Sequence, residues 1–402
     1  LFLINPVTTF AMQENGPTTM NYRDSLVNSL SSNPEKSVEF GKQGIEILLE
    51  DSKQPSTKLA DLYRLTGLAY IYQSNYDSCL AYYLKSEETA VAIDDKESLE
   101  MIYNNMGFLF YVKSDYRAAL KYQYLSLSLR KESDDRKGIS YSYNNLGLVH
   151  TELKDYENAR YYFQEAIRLK RELNLEKSLV KSLTDLGLMH LELNENRDAL
   201  ACFNEGIALA GKLSRKRAKP QLYQGKGALF INEALYDSAR FYLEKGERIA
   251  EDLDLVFELS RIYHSFAKLH AALYQFNDAI GYLKKSDSLA LEIESSEQLL
   301  ENYSLYTFVY STLEKYKQAY QYQERYQQLS DSLFTATLRD NFFNYQLKTQ
   351  RINNKKNLLQ KNAEIKQKDQ RIRWLGIAVV MLVVVILLLA YTQQKKTGKI
   401  AL

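Results

Sequence analysis

The sequence predicts an all-α fold, a single long array of helix pairs. Three observations lead there. The 402 residues include only 5 prolines and 16 glycines, which favours helices over turn-rich sheet. A column of small residues returns every 40 positions at Gly67, Gly107, Gly147, Gly187 and Gly227, and continues as Ala267 and Thr307. Two further columns keep the same register without insertion. Nine residues on stand Tyr76, Tyr116, Tyr156, Asn196, Tyr236, Phe276 and Tyr316. Twelve on stand Cys79, Ala119, Ala159, Ala199, Ala239, Ala279 and Ala319.

The spacing dictates what one unit contains. Between the small residues lies a polar link such as Lys154-Asp155, so each unit reads as helix, turn, helix. Asp115 and Asp155 are placed to cap the second helix. The small residues let the two helices approach closely, and the aromatic fills the joint beside the turn. Leu146, Leu148, Tyr156, Phe163 and Ile167 supply apolar surface that one unit cannot bury alone. Stacked neighbours can bury it.

The motifs resemble the tetratricopeptide repeat. Its Leu-Gly-x-x-aromatic signature is matched at Thr66-Gly67 with Tyr70 and at Met106-Gly107 with Phe110. Leu146-Gly147 and Leu186-Gly187 match it with histidine three later. Ala159 with Phe163 and Ala199 with Phe203 match its later positions. The resemblance covers roughly residues 34–330. The family's usual period is about 34, so a 40-residue unit means helices longer by about one and a half turns in total. The family's tryptophan is missing from every unit. Residues 34–50 read as the second helix of a degenerate leading unit, preceded by a lead-in over 12–33.

The two ends read differently. Residues 1–11 are mostly apolar, do not begin with Met, and read as the second half of a signal peptide cleaved after Ala11. Residues 331–373 keep a helical pattern but lose the period. Leu358, Ile365 and Ile372, spaced by sevens among polar neighbours, suggest a weak coiled coil that pairs in a dimer. Residues 374–391 hold no charge; as a helix they span about 27 Å, close to a hydrocarbon core of about 30 Å. Trp374 and Tyr391 stand where an aromatic belt belongs. A basic tail, 392–402, follows, and the chain is expected to be a piece of a longer reading frame at both ends.

Charge is distributed unevenly. Residues 349–402 carry 11 Lys/Arg against 2 Asp/Glu, leaving 41 against 48 before them. The acidic body is not expected to bind nucleic acid. The basic stretch before the span favours repeats in the cytoplasm, whereas a cleaved leader favours the outside. We expect the outside, an inner-membrane protein with periplasmic repeats, because export is committed before the span is made.

No catalytic motif, metal set or cofactor signature is present. Cys79 and Cys202 lie about three units apart and are not expected to pair. His150, His190 and His270 replace the aromatic of other units, as at Tyr70, Phe110 and Phe230, and read as packing residues. Asp94-Asp95 and Asp134-Asp135 read as turns between units, and residues 212–220 as a basic loop. The remaining candidates are Asn104, Asn105, Asn144 and Asn145. The resemblance implies that first helices line a concave groove and that an asparagine two before the glycine can hold a peptide backbone. Asn105 and Asn145 match that position. The column does not continue, since Leu65, Asp185, Gly225 and Ser265 occupy it elsewhere, and lysine partners are missing. The layout resembles the input half of bacterial membrane sensor histidine kinases with tetratricopeptide ectodomains, in which a bound peptide or protein alters a juxtamembrane helix pair. The alternatives are the input half of a membrane-bound helix-turn-helix regulator and a tethered scaffold with no output domain.

Overall fold

The computed structural model describes residues 19–30, 32–52 and 54–333. Among these, sixteen α-helices, one 3-10 turn and no strands form eight helix pairs. In order the pairs are α1 (Thr19–Ser29) with α2 (Pro34–Asp51), α3 (Thr57–Tyr72) with α4 (Tyr76–Ala92), α5 (Lys96–Val112) with α6 (Tyr116–Glu132), and α7 (Arg136–Glu152) with α8 (Tyr156–Glu172). There follow α9 (Glu176–Glu192) with α10 (Asn196–Lys212), α11 (Lys219–Asn232) with α12 (Tyr236–Asp252), α13 (Val256–Ala272) with α14 (Phe276–Glu292), and α15 (Ser296–Thr312) with α16 (Tyr316–Leu333). The expected leader, juxtamembrane helix, membrane span 374–391 and tail lie outside the described residues. Among the described residues no helix is long and apolar enough to cross a membrane.

The unit divides into two equal halves. From Ser74 to Glu314 a residue with positive φ returns every twenty positions, and none of the thirteen is glycine. Most helices are 17 residues long, and a three-residue turn completes each half. The same bond closes each turn: Asn75 N–H donates to Tyr70 O at 3.0 Å, and Asp115 N–H to Phe110 O at 2.8 Å. This six-to-one bond satisfies a carbonyl the helix end would otherwise orphan. The residue after the αL position starts the next helix, and Asp95, Asp115, Asp135 and Asp155 cap it with their carboxylates. The aspartate pairs therefore divide their work: Asp94 and Asp134 take the left-handed turn, while Asp95 and Asp135 cap. α11 starts three residues late beside Pro220, and the 3-10 turn Lys216–Ala218 fills the difference.

Size is matched where the helices of a pair meet. A Cβ on Gly147 would come within 2.7 Å of the Phe163 ring, and one on Gly67 within 2.6 Å of Tyr83. In the α13–α14 pair Ala267 holds the small-residue position and packs in one cluster with Leu283. A second contact runs along the array. Tyr63, Tyr103, Tyr143, Tyr223, Tyr263 and Tyr303 pair with the tyrosine nineteen residues on, ring centroids 5.7–6.1 Å apart. Each such pair contributes about 0.5–1.5 kcal/mol beyond its burial. In the α9–α10 pair Leu183 and Cys202 replace the two rings inside one apolar cluster.

First helices approach successive first helices, whereas no two second helices come comparably close. The first helices thus form the inner layer of a helical-repeat superhelix. The array begins earlier than the sequence pattern showed, because Leu26 of α1 and Leu30 just after it are buried although α1 lacks the glycine signature. At the far end α16 exposes Gln323 and Gln327, and Gln323 stands where Phe163, Phe203, Leu243 and Leu283 are buried in earlier units.

The turn geometry carries a prediction. Ala234 is held at φ 57°, a conformation costing about 1–2 kcal/mol for a residue with a Cβ. Ala234→Gly relieves that cost against an entropic penalty of about 0.5–1 kcal/mol. Chemical denaturation is expected to show stabilisation of about 0.5–1 kcal/mol; destabilisation would mean the turn is not held left-handed.

Candidate functional site

The inner layer encloses a cavity of about 960 Å³ lined from α5 to α15. Its lining follows the repeat. Lys177, Lys181 and Leu188 come from α9, Gln224 from α11, and Arg261, His264 and Lys268 from α13. The 212–220 segment is more than a solvated loop: Arg215 and Arg217 also line the cavity, and Arg215 donates to Lys177 O across 2.8 Å. The wall formed by α9, α11 and α13 is therefore rich in cations. Glu152 on α7 and Glu297 and Glu301 on α15 supply carboxylates. Glu152 accepts from the hydroxyls of Tyr111 and Tyr116, each at 3.3 Å. Burial pushes the Glu297 carboxyl up, and Glu301 and Glu152 add to that push while Arg261 opposes it.

The four asparagines lie beneath this surface, each at most 5% exposed. Asn145 Nδ2 donates to Asn104 Oδ1 at 3.0 Å, and Asn144 Nδ2 to Asp185 Oδ2 at 2.9 Å. Gln224 Nε2 repeats the step by donating to Ser265 Oγ at 2.9 Å. These bonds join residues 41 apart and tie α5 to α7, α7 to α9 and α11 to α13. They fix the register of the inner layer. Asn104 and Asn105 also border a second cavity of about 430 Å³ with Glu100 and Arg130. Burial pushes Glu100 up to about 7 against the pull of Arg130.

Two buried cations deepen this polar layer. Arg130 on α6 and Lys170 on α8 occupy a column that holds Ala90, Ala210, Ala250 and Ala290 elsewhere. The next first helix compensates. Twelve residues on, Ala90, Ala210 and Ala250 are followed by Ile102, Leu222 and Ile262, whereas Arg130 and Lys170 are followed by Ser142 and Ser182. Arg130 Nη1 donates to Ser142 Oγ at 2.8 Å and to Gly138 O at 3.1 Å. Lys170 Nζ donates to Ser182 Oγ at 2.6 Å and to Asn144 Oδ1 at 3.4 Å. Burial lowers the Lys170 pKa to about 7, although nearby Asp185 opposes the shift.

The column histidines act as pins. His150 Nδ1 meets Asp155 at 2.9 Å, His190 Nδ1 meets Glu195 at 2.5 Å, and His270 Nδ1 meets Gln275 at 2.7 Å. Each partner is the residue that starts the second helix of the same unit. His150 and His270 also stack on Tyr162 and Tyr282 at 5.3 and 5.1 Å. Near His190, Glu195 and Asp198 come close enough for a shared cation, but Arg160 already engages both oxygens of Glu195 at 2.7 and 2.9 Å. Cys79 and Cys202 are buried and unpaired, and burial pushes both thiols up, Cys202 to about 11.

The geometry defines a helical-repeat protein whose inner layer surrounds a groove. Residues 98–172 and 138–212 match the family described as Tetratricopeptide repeat, two matches offset by one 40-residue unit. The chain carries tetratricopeptide repeats in that stretch. No curated protein matches the sequence. The fold is similar to that of a Rap protein complexed with Competence and Sporulation Factor, with TM-score 0.62 and 15% identity over 80% of this chain and 88% of that one. It is similar to Aspartyl phosphate phosphatase F from Bacillus subtilis, with TM-score 0.59 and 17% identity over 80% and 85%. It is also similar to NprR in complex with its cognate peptide NprX, with TM-score 0.55 and 15% identity over 78% and 90%. At such identities the likeness is one of fold.

Two predictions concern the polar layer. Asn145→Ala strands the buried Asn104 carbonyl and is expected to cost about 1–3 kcal/mol in chemical denaturation; an unchanged midpoint would remove the ladder's structural role. Lys170 has its folded pKa near 7, against an ordinary lysine value of 10.5. Between those values the unfolded chain holds a proton that the folded chain has lost, so stability rises with pH. The slope is at most about 1.4 kcal/mol per pH unit. Between pH 7 and 9, Lys170→Met is expected to flatten that slope relative to wild type. Parallel profiles would show that burial does not lower the Lys170 pKa.

Proposed function

We propose that the groove receives an extended peptide or protein segment, and that the chain is the input half of a membrane-anchored sensor. The observation that carries the first part is the 960 Å³ cavity lined by successive first helices. Its cationic wall and acidic far side offer charge contacts along the length of a ligand. The shared fold supports the reading, since the Rap and NprR structures hold Competence and Sporulation Factor and the peptide NprX. Asn104 and Asn105 border the smaller cavity and stay within reach of a ligand there, while Asn144 and Asn145 serve the helix ladder.

The second part rests on the uncharged 374–391 stretch. Ligand binding would change the packing of paired 331–373 helices, and the span would relay the change to a histidine kinase output beyond Leu402. The repeats would face the periplasm. A phosphatase reporter fused after residue 340 tests this arrangement; activity only from a cytoplasmic reporter would overturn the external sensor.

Arg217 and Lys268 are exposed on the groove wall. The chain is expected to enrich particular sequences from a random pentapeptide pool. Arg217→Glu with Lys268→Glu is expected to cut that capture at least tenfold without loss of helicity. Equal capture by the two chains would remove the groove as the binding surface.

A further inference from the structure

His264 on α13 is only 4% exposed and lines the groove. Its Nδ1 lies 2.8 Å from Asn302 Oδ1. The orientation of that amide is set by its other end, where Asn302 Nδ2 donates to Asp287 Oδ1 at 2.8 Å and to Ser286 Oγ at 2.9 Å. Asn302 Oδ1 must therefore accept, and His264 Nδ1 must carry the hydrogen. In the neutral ring this leaves Nε2 as a bare acceptor. Nε2 is buried and has no hydrogen-bond partner.

A carboxylate beside that nitrogen is also an acceptor. Glu301 Oε2, on α15, lies 3.9 Å away. Gln298 reaches the same oxygen at 3.4 Å and leaves it further lone pairs. The imidazole does not supply the missing proton itself: burial lowers its pKa, and Lys268 and Arg261 add to that effect against the opposing pull of Glu301. Two acceptors thus face each other with no donor between them. An ammonium donating to both at about 2.7–3.2 Å would meet them, once the side chains covering the buried Nε2 part to admit it.

We propose that His264 Nε2 and Glu301 Oε2 form a receptor for a primary ammonium group of the groove's ligand. The group is either a peptide amino terminus or a lysine side chain. The proposal rests on the reading that the groove takes a ligand, and it adds where that ligand is anchored. Asn302 is a positioning residue that keeps the imidazole in the accepting tautomer.

The chain has four histidines, so selective ¹⁵N-histidine labelling resolves the site. The probes are glycinamide, N-acetylglycinamide and butylamine added to the full chain. The His264 Nε2 signal, assigned by its loss in His264→Phe, is expected to shift saturably with glycinamide or butylamine. The tighter binder of the two identifies the source as amino terminus or lysine. N-acetylglycinamide is expected to leave the signal in place. Glu301→Gln, a change at an exposed residue, is expected to weaken amine binding at least tenfold. Asn302→Leu is expected to alter the resting ¹⁵N shifts of both ring nitrogens. No response to either amine, an equal response to the acetylated probe, or unchanged amine affinity in Glu301→Gln would overturn the proposal. Capture of random pentapeptides by a chain whose His264 ignores amines would sink this receptor and leave the groove reading standing. Loss of capture with an intact amine response would do the reverse.

Discussion

Everything regular in this molecule depends on one constraint, the closure of the chain every twenty residues by a left-handed residue and a six-to-one hydrogen bond. Because the helix lengths match, residues forty apart fall at equivalent places and see equivalent neighbours. That equivalence lets a glycine face Tyr83 in one unit, Gln123 in the next and Phe163 in the one after. It also lets six tyrosine pairs repeat one geometry along the array. The constraint is costly at positions such as Tyr274 and Glu294, which hold positive φ without being glycine. The bond closing each turn and the burial of the flanking helices offset that cost.

A regular array gives every unit the same inner surface, so differences between units carry the specificity. The chain varies two columns to create them. Where Arg130 and Lys170 replace alanine, the next helix gives up a large aliphatic residue for Ser142 or Ser182. Core volume is thereby conserved while its chemistry changes from apolar to hydrogen-bonded. Burying a cation this way is costly unless its donors are met. Here serine hydroxyls, a backbone carbonyl and an asparagine meet Arg130 Nη1 and Lys170 Nζ, while Arg130 Nε lies buried 4.0 Å from Glu100. The arrangement makes α5 to α9 a polar block in which two buried basic side chains are tied to the next helix.

Much of this architecture was legible in the sequence, because packing of equivalent helices requires equivalent residue sizes. The columns at Gly147, Tyr156 and Ala159 announce the helix pair, its turn and its close approach. The αL turns were hidden because residues such as Ala234 and Lys154 occupy them, and a turn read from composition expects glycine. The tyrosine pairs lie nineteen apart, which joins two helices of one unit and is invisible to a search at forty. The ladder at forty-one was missed for a related reason: it links one column to its neighbour in the following unit, so neither column alone reveals it. α1 carries no signature, and among the described residues no earlier helix packs on its other side.

The asparagine column shows how a repeat separates cohesion from recognition. Residues three before the small-residue column are Asn104, Asn144, Thr184, Gln224 and His264, all in one register. Asn104 and Asn144 receive donors from Asn145, Lys170 and Ser182, so their acceptors are already engaged. Thr184 bonds to its own helix at Val180 O. Further along, Gln224 Oε1 and His264 Nε2 are buried without hydrogen-bond partners. A buried acceptor left unmet costs about 1–3 kcal/mol, and two in adjacent units of one column are hard to reconcile with packing alone. The residues best suited by type to hold a backbone therefore hold the array together. The unmet acceptors lie where the column has changed its residue type, on the helices that border the cationic wall.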